Sequence, residues 1–489
     1  MAQYFANLKR TMPDTGTSTD VTLQNIYSGV DVWPRDTSIQ YGSGFSCYRA
    51  ITHTSPRGFS TALFAPGWTW ESITQQPEKN WNEWWDNERK LWLGPLKPGE
   101  IIPVLENPEG PFKPMTAFFQ DLPPPDPSRF AFCTNFSPGV GYSWFVEGKK
   151  VLETQNGWAD IDKQSSIGNL VWPWPTPSWH AVEEEEAALT ASTALDMTDG
   201  YNGGNTLKLT VTYAASKSEG TLKTIWLPVQ SLTVRTGESF EARIVYKTTM
   251  GSDVDLDARI YVKSLFEEKT ESIVFVTRQA AKSDLPDEWT QQTISFTSTS
   301  TRNITSVGIL GFIVRFEPKE PLTEVTFSLS LGQLAVYPTP PAPSVSVGTP
   351  SIINAKFAPT TPTSLEGVLT WDTASTLAPI DVQVEDGEST TPVWLLQDTP
   401  AYRFPTFAYF NIYAALLDGS AKVDPTSAVF IGTTGLDGRA NRFYMDPACL
   451  PSGLDEKVGV KFFVQGVTDR GEVLPWEGCA TVDHGKSET

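Results

Sequence analysis

NIYSGVDVW (25–33), FSCYRAIT (45–52), STALFAPGW (60–68) and NWNEWWDNERKLWLG (80–94) decide the fold of the N-terminal part of this chain. The first and third stretches interleave β-branched with small residues, as buried strands do. FSCYRAIT predicts a helix. In the fourth stretch Trp81, Trp84, Trp85, Leu91 and Trp92 recur at helical spacing, which predicts an amphipathic helix with these residues on its inner face, and Gly94 stops it. A short helix over 3–11, with Tyr4, Phe5 and Leu8 on one face, is expected before them. Helix, strand, helix, strand, helix is the alternation of a parallel sheet. Two strands neither close a barrel nor bury both faces of such a sheet. An eight-stranded barrel takes about 250 residues, and only about 110 precede the next domain. Residues 1–110 therefore read as the C-terminal remnant of a (β/α)8 TIM barrel.

Beyond this segment the period changes. Residues 111–128 are expected to be a proline-rich linker, ending in DLPPPDPS (121–128). NTLKLTVTY (205–213), SFEARIVYK (239–247), DLDARIYVK (255–263), QQTISFTST (291–299) and VTFSLSLGQLAVY (325–337) alternate in and out. Alternation with turns between strands indicates an antiparallel sandwich over 129–338, expected to be jelly-roll-like and similar to a carbohydrate-binding module. PTPPAPSVSVG (338–348) reads as a stiff linker. GVLTWD (367–372), FAYFNIYAAL (407–416), AVFIGTT (428–434) and KVGVKFFVQGVTDRGEV (457–473) predict a smaller, fibronectin III-like β-sandwich over 349–489. The fold class is thus multidomain, α/β followed by all-β. EEEE (183–186) reads as a solvated loop.

Composition narrows the partners. The formal net charge is −20 across 489 residues. Nucleic acid and anionic membrane both require basic surface, so neither is expected, and a neutral ligand is. No apolar run reaches the length of a membrane span, and residues 1–20 do not read as a secretory signal. Cys47, Cys133, Cys449 and Cys479 form no Cys-x-x-Cys pair, and His53, His180 and His484 lie far apart in sequence. No metal site, no disulfide framework and a reducing, cytosolic compartment are therefore expected. Asn135-Phe-Ser137 and Asn303-Ile-Thr305 are read as unmodified triplets. Seven of the 17 tryptophans precede residue 93, which raises sugar stacking as a role for some of them, since a flat ring matches the apolar face of a pyranose.

Four stretches taken together resemble one family. NIYSGVDVW-P-R followed by YGSGFSCYRA (41–50), ALFAPGWTWE (62–71) and NERKLWLGP (87–95) look like the last two strand–helix units of the glycoside hydrolase family 85 barrel, the cytosolic endo-β-N-acetylglucosaminidases. FCTNFSPGVGYSWFVEG (132–148) and TDGYNGGNTLKL (198–209) resemble the start of that family's sandwich domain. The resemblance spans about residues 1–340. One departure is Trp33-Pro34-Arg35-Asp36, where the family's loop is richer in glycine.

The resemblance implies cleavage of the N,N'-diacetylchitobiose core of N-glycans by substrate-assisted retention, an exception to the two-carboxylate scheme. The substrate's acetamide oxygen attacks the anomeric carbon. A glutamic acid protonates the leaving oxygen, an asparagine orients the acetamide, and an oxazoline forms. No metal or organic cofactor is implied. The family's catalytic Asn/Glu pair and its tyrosine lie on strands with no counterpart here. No catalytic residue is therefore assigned, and the chain is expected to be inactive alone. Barrel ligands bind at the C-terminal ends of strands, which makes Asp31, Trp33, Arg35, Trp68, Trp70 and Glu71 the candidate substrate-binding residues. Asp31 and Glu71 are not read as an acid/base pair, because the resemblance places the chemistry elsewhere. The expected partner is an N-glycan or glycoprotein oligosaccharide, and the oligomeric state is left open. Two alternatives remain: a non-catalytic carbohydrate-binding β-sandwich protein, and a structural sandwich array.

Overall fold

The structure is a computed structural model. It describes residues 23–33, 44–72, 81–95, 100–102, 111–119, 124–167, 175–179, 189–213, 223–250, 254–264, 275–299, 305–318, 324–339, 349–362, 364–374, 405–417, 425–435, 441–447, 450 and 459–485. The expected helix 3–11, the EEEE run, Arg35, Cys449, His180 and Asn303 lie outside these residues. The chain divides into two compact units, 1–123 and 124–489. Strands dominate and helices are few.

In the first unit β1 (Tyr27–Asp31) and β2 (Ser60–Phe64) pair in parallel, with Tyr27 opposite Ser60 and Asp31 opposite Phe64. The parallel alternation read from the sequence is thus present. Between them runs helix α1 (Tyr48–Thr54). A single helical turn, α2 (Trp68–Glu71), and helix α3 (Trp81–Leu93) follow β2. Partners in a parallel ladder share a face. Ser28, Val30, Thr61 and Leu63 therefore point one way, and Tyr27, Gly29, Asp31, Ala62 and Phe64 the other. The first face is packed. Val30, Val32, Cys47, Tyr48, Ile51, Leu91 and Met115 form a buried cluster joined by Leu63, Trp68, Phe112 and Phe118. The second face is open, with Tyr27 68% and Phe64 69% exposed. Phe112, Met115 and Phe118 thus tie the first part of the proline-rich stretch into this core, because its few apolar residues complete the packed face.

Two further details depart from the expected pattern. The second strand stops at Phe64, not Trp68: Ala65 takes a left-handed φ of +53° and Pro66 brings no N–H to a ladder. On α3, Leu91 is buried and Trp84 half-buried, but Trp92 is 37% exposed. Its indole N–H donates to Glu88 one turn earlier, which holds the ring along the helix surface. The side chains of Trp81 and Trp85 lie outside the described residues. Gly94 ends α3 at φ +98°, a conformation glycine takes without a Cβ penalty.

The second unit holds four main sheets and a long hairpin. One sheet runs in the order Phe275–Asp284, Thr290–Ser298, Ser239–Met250, Val325–Pro338, Thr206–Tyr213, Leu189–Asp196, with Phe132–Thr134 also on Val325–Pro338. A second runs Val254–Ser264, Thr305–Pro318, Lys223–Arg235, Ser178–Trp179. Their pairings are antiparallel. Ring contacts between Tyr246 and Phe312, and between Phe316 and Phe327, join the two inner faces. The last part pairs a three-stranded sheet (Ser351–Pro359, Gly367–Ala374, Arg442–Met445) with a four-stranded one (Val429–Thr433, Phe407–Leu416, Val460–Thr468, Ala480–His484). Trp371 meets Phe410 across their shared core. Every stretch expected to be a strand after residue 200 contains one.

These sheets are not separate beads. The hairpin Pro138–Val146/Lys149–Gln164 lays Trp144, Val146 and Trp158 against Tyr409, Tyr413, Phe463 and Val467 of the last sheet. Arg243 donates to the Glu472 carboxylate and to the Arg470 carbonyl, and the Arg470 guanidinium lies 4.5 Å from the Tyr337 ring centroid.

Candidate glycan-facing site

Parallel strands open their C-terminal ends on the same side, where loops supply ligand groups. β1 ends at Asp31, directly opposite Phe64 of β2, and the Val32 N–H donates to the Phe64 carbonyl at 2.9 Å. Asp31 Oδ1 accepts from the Trp33 N–H at 3.0 Å, an Asx turn that fixes how the chain leaves the strand. Asp31 is exposed and Trp33 half-buried.

The chain after β2 is held more firmly. Trp68 meets Phe45 edge-on at 5.1 Å, and its ring fills the space a side chain would take at Gly44, where an added Cβ would lie 2.3 Å from Trp68 Cζ2. Trp70 meets Trp84 of α3 edge-on at 6.3 Å. The Trp68 ring packs against the buried cluster. Trp68, one of the candidate sugar contacts, is half-buried against the core cluster. Thr69 is buried, with its hydroxyl 2.5 Å from Glu88 Oε2. Glu71 is exposed, with Oε1 beside Gly67.

Of the candidates, then, the structure brings Asp31 and Glu71 to the same end of the sheet with exposed side chains. It puts Trp68 and Trp70 behind them as support. Sequence reasoning missed Phe64. Its signal was strand parity: in STALF, Phe64 lies two residues from Ala62 on the face opposite Leu63. A carboxylate and an exposed ring as cross-strand partners suit a sugar, whose hydroxyls bond the one and whose C–H face stacks on the other. Neither β1 (YSGVD) nor β2 (STALF) carries an asparagine or glutamate.

The stretches 132–148 and 198–209 meet in the second unit. Phe145 and Gly203 exchange backbone hydrogen bonds, and Gly148 N–H donates to the Tyr201 carbonyl. Asn135 accepts from Ser165 and donates to the Asn202 carbonyl, so its amide is committed to the fold. Among the described residues no helix is long and apolar enough to cross a membrane, and no group of three or more His, Cys, Asp or Glu could hold a metal ion. Burial pushes the Cys47 thiol up to about 12, so this cysteine is an inert core residue.

Residues 2–144 match the family model of glycosyl hydrolase family 85. The family resemblance read from the sequence is borne out over that segment, which holds β1, β2 and the Asp31–Phe64 pair. Among solved structures, the glycoside hydrolase domain of Endo-D from Streptococcus pneumoniae R6 is similar to this chain at 16% identity and a TM-score of 0.50. The match covers 95% of this chain and 58% of that one, so the chain spans under two thirds of that domain's length. The adhesin domain of Epf from Streptococcus pyogenes is matched at 9% identity and a TM-score of 0.20, over 61% of this chain and 91% of that one. A likeness that low carries no structural argument. No curated protein matches.

Proposed function

We propose that this chain is part of an endo-β-N-acetylglucosaminidase-like glycoside hydrolase acting on the N,N'-diacetylchitobiose core of N-glycans. The observation that carries the reading is the exposed Asp31–Phe64 pair at the C-terminal ends of two parallel strands, inside the segment that matches family 85. In this reading β1 and β2 are the last strands of a (β/α)8 barrel, and their open face with Tyr27, Ala62 and Phe64 is the side turned to the barrel interior. Asp31, Trp33, Arg35 and Glu71 line the glycan, Phe64 stacks on it, and Trp68 and Trp70 hold the loop. The family's substrate-assisted chemistry calls for an asparagine that orients the acetamide and a glutamic acid of raised pKa that protonates the leaving oxygen. Neither strand supplies them, so the chain alone does not cleave. The three-plus-four sheet arrangement of the last part supports a fibronectin III-like sandwich. The acidic surface and scattered cysteines favour the cytosol.

Glycan release from a high-mannose glycoprotein tests the reading. The purified chain should release none. Adding a second polypeptide that carries the strands with the Asn/Glu pair should restore release, and Asp31→Ala should reduce the restored rate at least tenfold. Release by the chain alone, or a restored rate indifferent to Asp31 and Phe64, refutes it. A carbohydrate-binding protein without catalysis would instead release no glycan in either arm.

A further inference from the structure

Glu88 has no place in the reading above, yet it is a carboxylate half-buried beside the glycan-facing turn. Its Oε2 lies 2.5 Å from the Thr69 hydroxyl and its Oε1 accepts from the Trp92 indole N–H at 2.8 Å. Thr69 is buried in the middle of α2, and its hydroxyl also lies 3.2 Å from the Pro66 carbonyl. One carboxylate thus ties α3 to the turn that carries Pro66, Gly67 and Glu71. Trp68 against Phe45 and Trp70 against Trp84 hold the same turn by ring contact as well.

We infer that Glu88 is a positioning residue that fixes the register of the Ala65–Ser72 turn, and through it the place of Glu71 on the glycan. This rests on the glycan-facing reading of that turn. The geometry serves either protonation state. Ionised, Glu88 accepts from both Thr69 and Trp92. Protonated, it donates to the Thr69 oxygen, whose own proton then turns to Pro66. Burial raises the Glu88 pKa, and the bonds from Thr69 and Trp92 oppose that rise. A glutamine also closes the clamp: its oxygen accepts from Trp92, its amide donates to Thr69, and Thr69 donates to Pro66. An alanine leaves the hydroxyl and the indole N–H without the carboxylate.

The test uses the full chain with Glu88→Ala, Glu88→Gln and Thr69→Val, read by amide hydrogen exchange and by retention on an immobilised high-mannose glycopeptide. Glu88→Ala and Thr69→Val should each speed exchange of the Trp68–Ser72 amides at least tenfold. They should also weaken glycopeptide retention about fivefold. Glu88→Gln should restore both. Unchanged exchange at 68–72 in Thr69→Val overturns the inference, as does equal loosening of α1 and α3, which marks Glu88 as a general stabiliser. Failure of the wild-type chain to retain glycopeptide, with the exchange pattern as expected, sinks the glycan reading and leaves the clamp standing.

Discussion

Lys163 lies on the strand Lys149–Gln164 and is 2% exposed. Its ammonium donates to the Thr434 carbonyl and lies 5.3 Å from the Tyr409 ring centroid. Burial lowers its pKa from 10.5 to about 8, and the carboxylates of Asp160 and Asp162 oppose the fall. The folded state therefore holds this proton less tightly than the unfolded chain. Between about pH 8 and 10.5 the unfolded chain binds more protons, so stability rises with pH across that window. Below it the buried charge costs about 3 kcal/mol, at 1.36 kcal/mol per pKa unit. Lys163→Met removes the charge and keeps the stem, but it also removes the ammonium's hydrogen bond to the Thr434 carbonyl, which keeps the Thr433 hydroxyl as a donor, at a cost of about 1–3 kcal/mol. Near pH 7 the two effects nearly cancel, and the variant should be as stable as the wild type or up to about 2 kcal/mol more so. The decisive quantity is the difference between the two proteins in urea unfolding, followed by tryptophan fluorescence from pH 7 to 10.5. It should move by about 3 kcal/mol in favour of the wild type as pH rises. The difference cancels the tyrosines and thiols, which titrate in both proteins. A difference that stays flat with pH would show that Lys163 is not desolvated, and the argument would fall.

Arg243→Ala removes the bonds to Glu472 and to the Arg470 carbonyl. It should lower the stability of the second unit by about 2–3 kcal/mol in urea unfolding, and limited proteolysis should then reach the strand Val460–Thr468 sooner. Gly44→Ala places a Cβ 2.3 Å from the Trp68 ring at a φ of +56°. It should destabilise the first unit by about 2 kcal/mol or more in thermal unfolding, and full stability would show that the Trp68 packing is slack. Phe64→Thr replaces an exposed apolar ring on a strand with an open face and should raise soluble yield. Unchanged yield together with unchanged glycopeptide retention would remove Phe64 from both of its assigned roles.

The elements were legible where one period dominates. Alternation in 205–337 marked strands, and the helix 80–94 announced itself by apolar spacing and Gly94, because local pattern reports which face is buried. What the ring of each tryptophan touches was not legible in the same way. Trp68 follows a strand with one packed and one open face, and such a position is compatible with a ligand wall or a core wedge; Gly44, 24 residues earlier, leaves room for the ring against the core. Phe64 shows the opposite case, in which parity alone pointed to the open face and the run of apolar letters hid it. The union of the two sandwiches was the least legible feature. Lys163 with Thr434, Arg243 with Glu472 and Trp144 with the last sheet join residues more than 200 positions apart, and nothing in a local window encodes such a pairing. The first two bury charge, so they impose alignment as well as adhesion: an apolar seam tolerates sliding, whereas Lys163 and Arg243 each bond a carbonyl in a single register. The stretches 132–148 and 198–209 lie in this same unit, and Asn202, bonded to Glu147, Gln333 and Gly471, links them to the turn that carries Arg470 and Glu472. Asn202, the residue before the Gly-Gly pair, thus helps to align the two sandwiches.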